Sequence, residues 1–143
     1  MDILQPPDWP PPRGYVNGIA AQGTFISVAG QIGWNAQGQF ESDDLVAQVR
    51  QALANIVAVL AQAGAEPQHL VRLTWYLTDK REYLARAKEI GAAYRELIRD
   101  PLGGPHYPVM SAVQVAALIE DRAKVEIEAT AVLPPPRPRG GDA

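Results

Sequence analysis

Residues 106–132 read HYPVMSAVQVAALIEDRAKVEIEATAV, and the fold turns on how their two β-rich arms are arranged. From Val109 to Leu118 small and β-branched residues run almost without a charge. Ile119-Glu120-Asp121-Arg122-Ala123 then supplies a polar turn, and Lys124 to Leu133 alternates strictly. The pattern predicts a β-hairpin that closes a sheet. In the second arm Val125, Ile127, Ala129, Ala131 and Leu133 share one face, which places Glu126 and Glu128 side by side on the other. Two readings of that face stand open: a solvated surface carrying ordinary charges, or a covered face with functional carboxylates. The first arm favours cover. Ser111, Val113, Val115 and Ala117 on one side, and Ala112, Gln114, Ala116 and Leu118 on the other, are both mainly apolar. A strand apolar on both faces is normally buried on both. A chain of this size places helices over one face, so a second copy of the protein is expected over the other.

Upstream, residues 1–13 form a proline-rich segment that reads as an extended arm rather than part of the sheet, with Trp9 available to anchor it. Tyr15 to Ala21 and Thr24 to Ala29 are two short β-rich runs around Gln22-Gly23, which predicts a hairpin of the first two strands. Gly30-Gln31-Ile32-Gly33-Trp34 permits either a simple bend or close approach of a ligand. Ser42-Asp43-Asp44 offers an N-cap, after which Val46, Val49, Leu53, Ile56, Val57 and Leu60 recur at helical spacing until Gly64. Leu70 to Thr78 alternates as a third strand. Thr78 or Asp79 caps a second helix over Arg81 to Ile98, whose apolar stripe comprises Tyr83, Leu84, Ala87, Ile90, Tyr94, Leu97 and Ile98. The order β-β-α-β-α-β-β defines a two-layer α+β domain over residues 14–133, a mixed sheet with both helices on one face. The tail from Pro134 to Ala143 is too rich in proline and glycine to bury a core and is expected to be disordered.

The 143 residues suffice for one domain. Hydrophobic residues make up 47 % and charged residues 20 %, and no apolar run approaches the roughly 20 residues a membrane span requires. The N-terminus shows no secretory pattern and there are no cysteines, so the expected location is the cytoplasm. A net charge of −3 without a Lys/Arg cluster argues against nucleic acid as a partner. With His69 and His106 the only histidines, no metal site is expected. No P-loop, dinucleotide fingerprint or nucleophile elbow is present. Acid-base chemistry remains. Glu126, desolvated beneath a partner subunit, would activate water, and Tyr15 would donate a hydrogen bond; a structural role for either is the competing reading.

Several motifs taken together carry a family likeness. They are Gly14-Tyr15, Val28-Ala29-Gly30-Gln31-Ile32, Gln48 with Leu53-Ala54-Asn55-Ile56 through Ala63-Gly64, Tyr94, and Tyr107-Pro108 followed by Val125-Glu126-Ile127-Glu128-Ala129. From Gly14 to Val132 the chain resembles the reactive intermediate deaminase (Rid, YjgF-like) family, also labelled endoribonuclease L-PSP. The resemblance implies a chorismate-mutase-like homotrimer with clefts between subunits, and hydrolysis of enamines and imines such as 2-aminoacrylate without a cofactor. It places Glu126 and Tyr15 as catalytic residues, with Gly30, Trp34, Met110, Ser111 and Ala112 lining the small-molecule site. In the best-known branch an arginine of the strand before the last grips the substrate carboxylate. Here that position holds Met110. Ala112 replaces a cysteine, Ala29 a serine and Gly91 an asparagine. A thioether cannot supply the charge-assisted bonds of an arginine fork, each worth roughly 1.5–3 kcal/mol. The expectation is a divergent member that handles free 2-aminoacrylate poorly. It is either a hydrolase for a bulkier, less anionic imine, or a non-catalytic ligand-binding or scaffold trimer. Arg13 is the candidate for a substitute cation. RNA cleavage, which the older label implies, is opposed by the acidic balance and the lack of a histidine pair.

Overall fold

The computed structural model describes residues 1–137. Ten segments follow in order: β1 (Asp2–Leu4), β2 (Gly18–Ala20), β3 (Thr24–Ile32), α1 (Leu45–Ala61), a 3-10 turn (Pro67–His69), β4 (Leu70–Leu77), α2 (Lys80–Ala85), α3 (Ala87–Leu97), β5 (Val109–Gln114) and β6 (Val125–Leu133). The protein is α+β, with a four-stranded mixed sheet in the order β3-β6-β4-β5 and a separate two-stranded ribbon, β1-β2.

The elements largely match the periodicities, but three expected pairings do not. The two arms of residues 106–132 do not form a hairpin. β5 pairs in parallel with β4, and β6 runs antiparallel between β3 and β4, so β4 separates the two arms. The crossover through α2 and α3 makes the parallel β4-β5 pair possible, and residues 115–124 are long enough to carry the chain past β4. The first arm also ends early, at Gln114. The second correction concerns the expected hairpin around Gln22-Gly23. β2 pairs with β1 instead of β3, because Gly23, at φ 143°, is pressed against the backbone at Leu133 rather than placed in a two-residue turn. Third, the arm is not devoid of strand. Asp2–Leu4 pairs with Gly18–Ala20, and Asn17 Nδ2 donates to Gln5 Oε1 at 2.7 Å. It remains outside the main sheet. Of the expected disordered tail, residues 138–143 lie outside the described residues, and 134–137 carry no helix or strand.

α1 begins at the N-cap Asp44, whose Oδ2 accepts from the Ala47 N–H at 3.0 Å. Arg86 and that N–H hold the Asp44 carboxyl below the usual carboxylate range. The helix ends before Gly64, at φ 72°, a left-handed conformation that glycine adopts without Cβ strain. Leu45, Val49, Ala52, Leu53, Ile56 and Leu60 are buried along one face of α1, against Leu73, Ile127, Ala129 and Ala131 of the sheet. The expected second helix is broken at Arg86, whose guanidinium bridges Asp44 and Glu89. Asp79 caps its first piece by accepting from the Arg81 and Glu82 N–H groups. Leu84, placed on the apolar stripe by periodicity, is 60 % exposed because it lies in this separate short helix.

With Val125, Ile127, Ala129 and Ala131 buried under the helices, alternation puts Glu126, Glu128 and Thr130 on the opposite sheet face. Register adds Arg72, Thr74 and Tyr76 from β4, Ser111 and Val113 from β5, and Phe25 from β3. Among the described residues no helix covers this face, where Phe25 is 66 % and Val113 45 % exposed.

Candidate functional site

The expected site residues fall into two groups. Tyr15, Met110 and Ala112 line one cavity of about 410 Å³ between α3, the start of β5 and the segment entering β2. Its position follows from the backbone: the Val16 N–H donates to Pro108 O at 3.2 Å, and Val16 bridges Val109, which draws Tyr15 alongside Met110. Trp75, Tyr83, Tyr94 and Tyr107 supply an aromatic wall. The Tyr94 and Tyr107 rings stack at 5.5 Å and 7°, and Trp75 lies 6.4 Å from Tyr94 and 6.5 Å from Tyr83 between ring centroids. The Tyr94 hydroxyl donates to His106 O at 2.6 Å, and His106 Nε2 bonds Leu70 O at 2.7 Å. These bonds fix the approach to β5. Burial pushes the Tyr94 and Tyr83 hydroxyls up in pKa, so both stay neutral at ordinary pH.

The second group is Gly30 with Glu126. β3 and β6 shift register between Val28 and Gln31, and this irregularity brings Gly30 over the Glu126 side chain. A Cβ at Gly30 would lie 2.7 Å from Glu126 Cδ and 2.9 Å from Oε1, so glycine is the residue that leaves the carboxylate its seat. Among the described residues Glu126 has no side-chain hydrogen bond or ion pair. Glu128 is engaged differently: the Tyr76 hydroxyl donates to its Oε1 at 2.7 Å. That bond, with the carboxylate charge, pushes the Tyr76 hydroxyl up in pKa.

Within one chain the two groups line no common cavity. Ser111 lies on the bare sheet face, exposed. Trp34 is not in the Met110 cavity; its ring packs 6.2 Å from Phe40, and Asn55 Nδ2 donates to its carbonyl at 2.9 Å. Two features of the cavity were not read from the sequence. Arg95 joins Arg13 on its wall, with no acidic residue beside them; a helical arginine reads as an ordinary solvated charge until the fold aims it. The Nε1 of Trp75 is the one buried side-chain polar atom without a partner among the described residues, although leaving such a donor unpaired costs about 1–3 kcal/mol. Among the described residues no group of three or more His, Asp or Glu side chains is placed to hold a metal ion, and no helix is long and apolar enough to cross a membrane.

An α+β domain with a parallel β4-β5 crossover, a central antiparallel last strand and a cavity at the edge of β5 is the class of protein that this fold defines. The family model for Endoribonuclease L-PSP matches residues 8–133, and the chain belongs to that family, which includes the Rid and RutC proteins. A RutC family protein of Synechocystis sp. is 32 % identical over 136 residues, covering 94 % of this chain and 98 % of that protein. The 2-iminobutanoate/2-iminopropanoate deaminase of Salmonella typhimurium is 30 % identical over 118 residues, 82 % of this chain and 86 % of the enzyme. Among solved structures, the Rid-family protein YyfB of Yersinia pestis superposes with a TM-score of 0.76 at 33 % identity, covering 92 % and 98 % of the two chains.

Proposed function

We propose that the protein is a homotrimer that binds and hydrolyses a small enamine- or imine-type metabolite between subunits, and that it is a poor catalyst for 2-aminoacrylate. The observation that carries this reading is the contrast between the two carboxylates of β6: Glu126 is seated against Gly30 without a partner among the described residues, while Tyr76 occupies Glu128. An unengaged carboxylate on a bare sheet face is suited to hold a water molecule once a second copy closes over it. In the proposed trimer, Glu126 and Gly30 of one subunit face the Tyr15, Met110 and Ala112 cavity of its neighbour.

The chemistry then needs no cofactor. As a water oxygen bonds to the imine carbon, Glu126 takes one proton from the water, the C=N π pair moves to nitrogen, and Glu126 passes that proton to the nitrogen. The resulting carbinolamine gives its hydroxyl proton through Glu126 to the amino group as the C–N bond breaks and the C=O bond forms, so ammonia leaves behind a ketone and Glu126 is again ionised. An enamine enters the same sequence after protonation at carbon. In this proposal Tyr15, on the cavity wall, donates a hydrogen bond to the substrate.

Two measurements test this reading. Light scattering in dilute buffer is expected to return three chain masses, and a monomer free of aggregation would remove the intersubunit site. Ammonia or keto-acid release from an enzymatically generated 2-aminoacrylate is expected to be weak for the wild type and raised by Met110→Arg. The arginine restores a bidentate partner while Tyr15, Gly30 and Glu126 are already present. The gain is expected to be partial, because Ala112 and Gly91 give the new side chain little support. Strong wild-type turnover of this small imine would overturn the reading of Met110.

A further inference from the structure

The loss of charge at position 110 is accompanied by a gain on the facing helix. Gly91 and Arg95 are one turn apart on α3, and both line the cavity. A Cβ at Gly91 would lie 3.0 Å from Arg95 Nη1. The guanidinium of this exposed arginine therefore folds back along its own helix over the space that the missing side chain leaves. Glycine inside a helix is unfavourable relative to alanine, and nothing in the turn geometry of α3 requires it here. The space over Gly91 is its evident use. Among the described residues neither Arg95 nor Arg13 has an ion pair, and the cavity wall carries no carboxylate that would neutralise them. The same lining holds the stacked Tyr94 and Tyr107 and the indole of Trp75. A cation and aromatic rings lining one cavity are complementary to a planar ring that carries a carboxylate.

Resting on the reading of the cavity as the substrate site, we infer that Arg95 has taken over the carboxylate-binding role from the strand, and that the cavity selects aromatic 2-imino acids over small aliphatic ones. The 410 Å³ volume falls within the roughly 300–1,000 Å³ of ordinary ligand pockets, more than a three- or four-carbon acid fills. Gly91 is then a specificity residue as much as Arg95, since a side chain there displaces the guanidinium. The substrate is bulkier, as the sequence led us to expect, but it is still an anion.

The test uses the stable product analogues and the full chain. Calorimetric titration with phenylpyruvate, its primary amide and 2-oxobutanoate is expected to show phenylpyruvate bound at least about tenfold more tightly than either. Arg95→Gln is expected to weaken phenylpyruvate about 10- to 100-fold and to leave amide binding and the thermal melt unchanged. Gly91→Ala is expected to weaken phenylpyruvate in the same direction by a smaller factor. Equal binding of the acid and its amide, equal binding of the aryl and alkyl acids, no binding at all, or a loss carried by Arg13→Gln instead would overturn the inference. Binding of an oxo acid does not depend on turnover, so the two readings fail separately. Arg95-dependent binding without imine hydrolysis removes only the catalytic proposal. Imine hydrolysis that is indifferent to Arg95→Gln removes only this one.

Discussion

Glu126→Gln is expected to lower imine turnover by roughly 10²–10⁴, the usual weight of a positioned general base, while Glu128→Gln stays within about threefold of the wild type on the same scale. The two residues share a strand face, so composition and charge do not separate them. Their surroundings do. The Tyr76 hydroxyl is 2.7 Å from Glu128 Oε1, a bond that ties Glu128 to β4 across the face. Glu126 is left open by Gly30, whose backbone approaches so closely that any Cβ there would collide with the carboxylate. The glutamine variant keeps the shape and removes the basic oxygen, so folding and trimer mass should be preserved. The assay is ammonia release at matched trimer concentration, with circular dichroism as the folding control. A large loss for Glu128→Gln and none for Glu126→Gln would reverse the assignment.

Gln48→Leu should cost about 3 kcal/mol or more of stability, a large share of the roughly 5–15 kcal/mol that holds a domain together. Gln48 is 1 % exposed. Its Nε2 donates to Ser42 O at 3.1 Å and Arg122 O at 3.0 Å, and its Oε1 accepts from the Lys124 N–H at 2.8 Å. One amide thus joins the entry of α1 to the segment that delivers β6. Leucine is close in size but leaves those backbone groups unpaired, each at about 1–3 kcal/mol if water cannot reach it. Gly33 provides no room for a shifted side chain, since its own Cβ position lies 2.6 Å from Gln48 Cγ. Urea denaturation reads the effect as a lower midpoint with an unchanged slope. A shift worth less than about 1 kcal/mol would show that water substitutes for the amide and that Gln48 is not a structural tie.

The faces of the main-sheet strands were legible because burial has a period. The alternation of Val125, Ile127, Ala129 and Ala131 states which side meets the helices, and the spacing of Leu45, Val49, Leu53, Ile56 and Leu60 states which side of α1 meets the sheet. Periodicity is silent on which strand is the neighbour. The stretch from Val109 to Leu133 therefore read as a hairpin, although its two arms flank β4. The same limit applied to β2, whose partner β1 lies in a proline-rich arm with little β signal. At the site, Tyr15, Met110 and Ala112 line one cavity, whereas Glu126, Gly30, Trp34 and Ser111 are not in its lining. Arg95 escaped notice because its role depends on the void over Gly91, four residues away on the helix. In the sequence that glycine was only a missing asparagine.

The central place of β6 sets an order of events during synthesis. β3 and β4 have no backbone pairing with each other; each is bonded to β6, which enters the sheet between them. While a ribosome is still translating residues 125–133, the chain already made holds three helices, and two of its strands, β3 and β4, lack their shared hydrogen-bonding partner. Its apolar strand faces then have no completed sheet to join. Closure depends on contacts between residues about a hundred positions apart, as between Thr24 and Leu133, which is a slow class of folding event. The polypeptide therefore completes its fold only after release of the last strand from the exit tunnel, and before that moment it is a natural client for chaperones that shield unpaired edges.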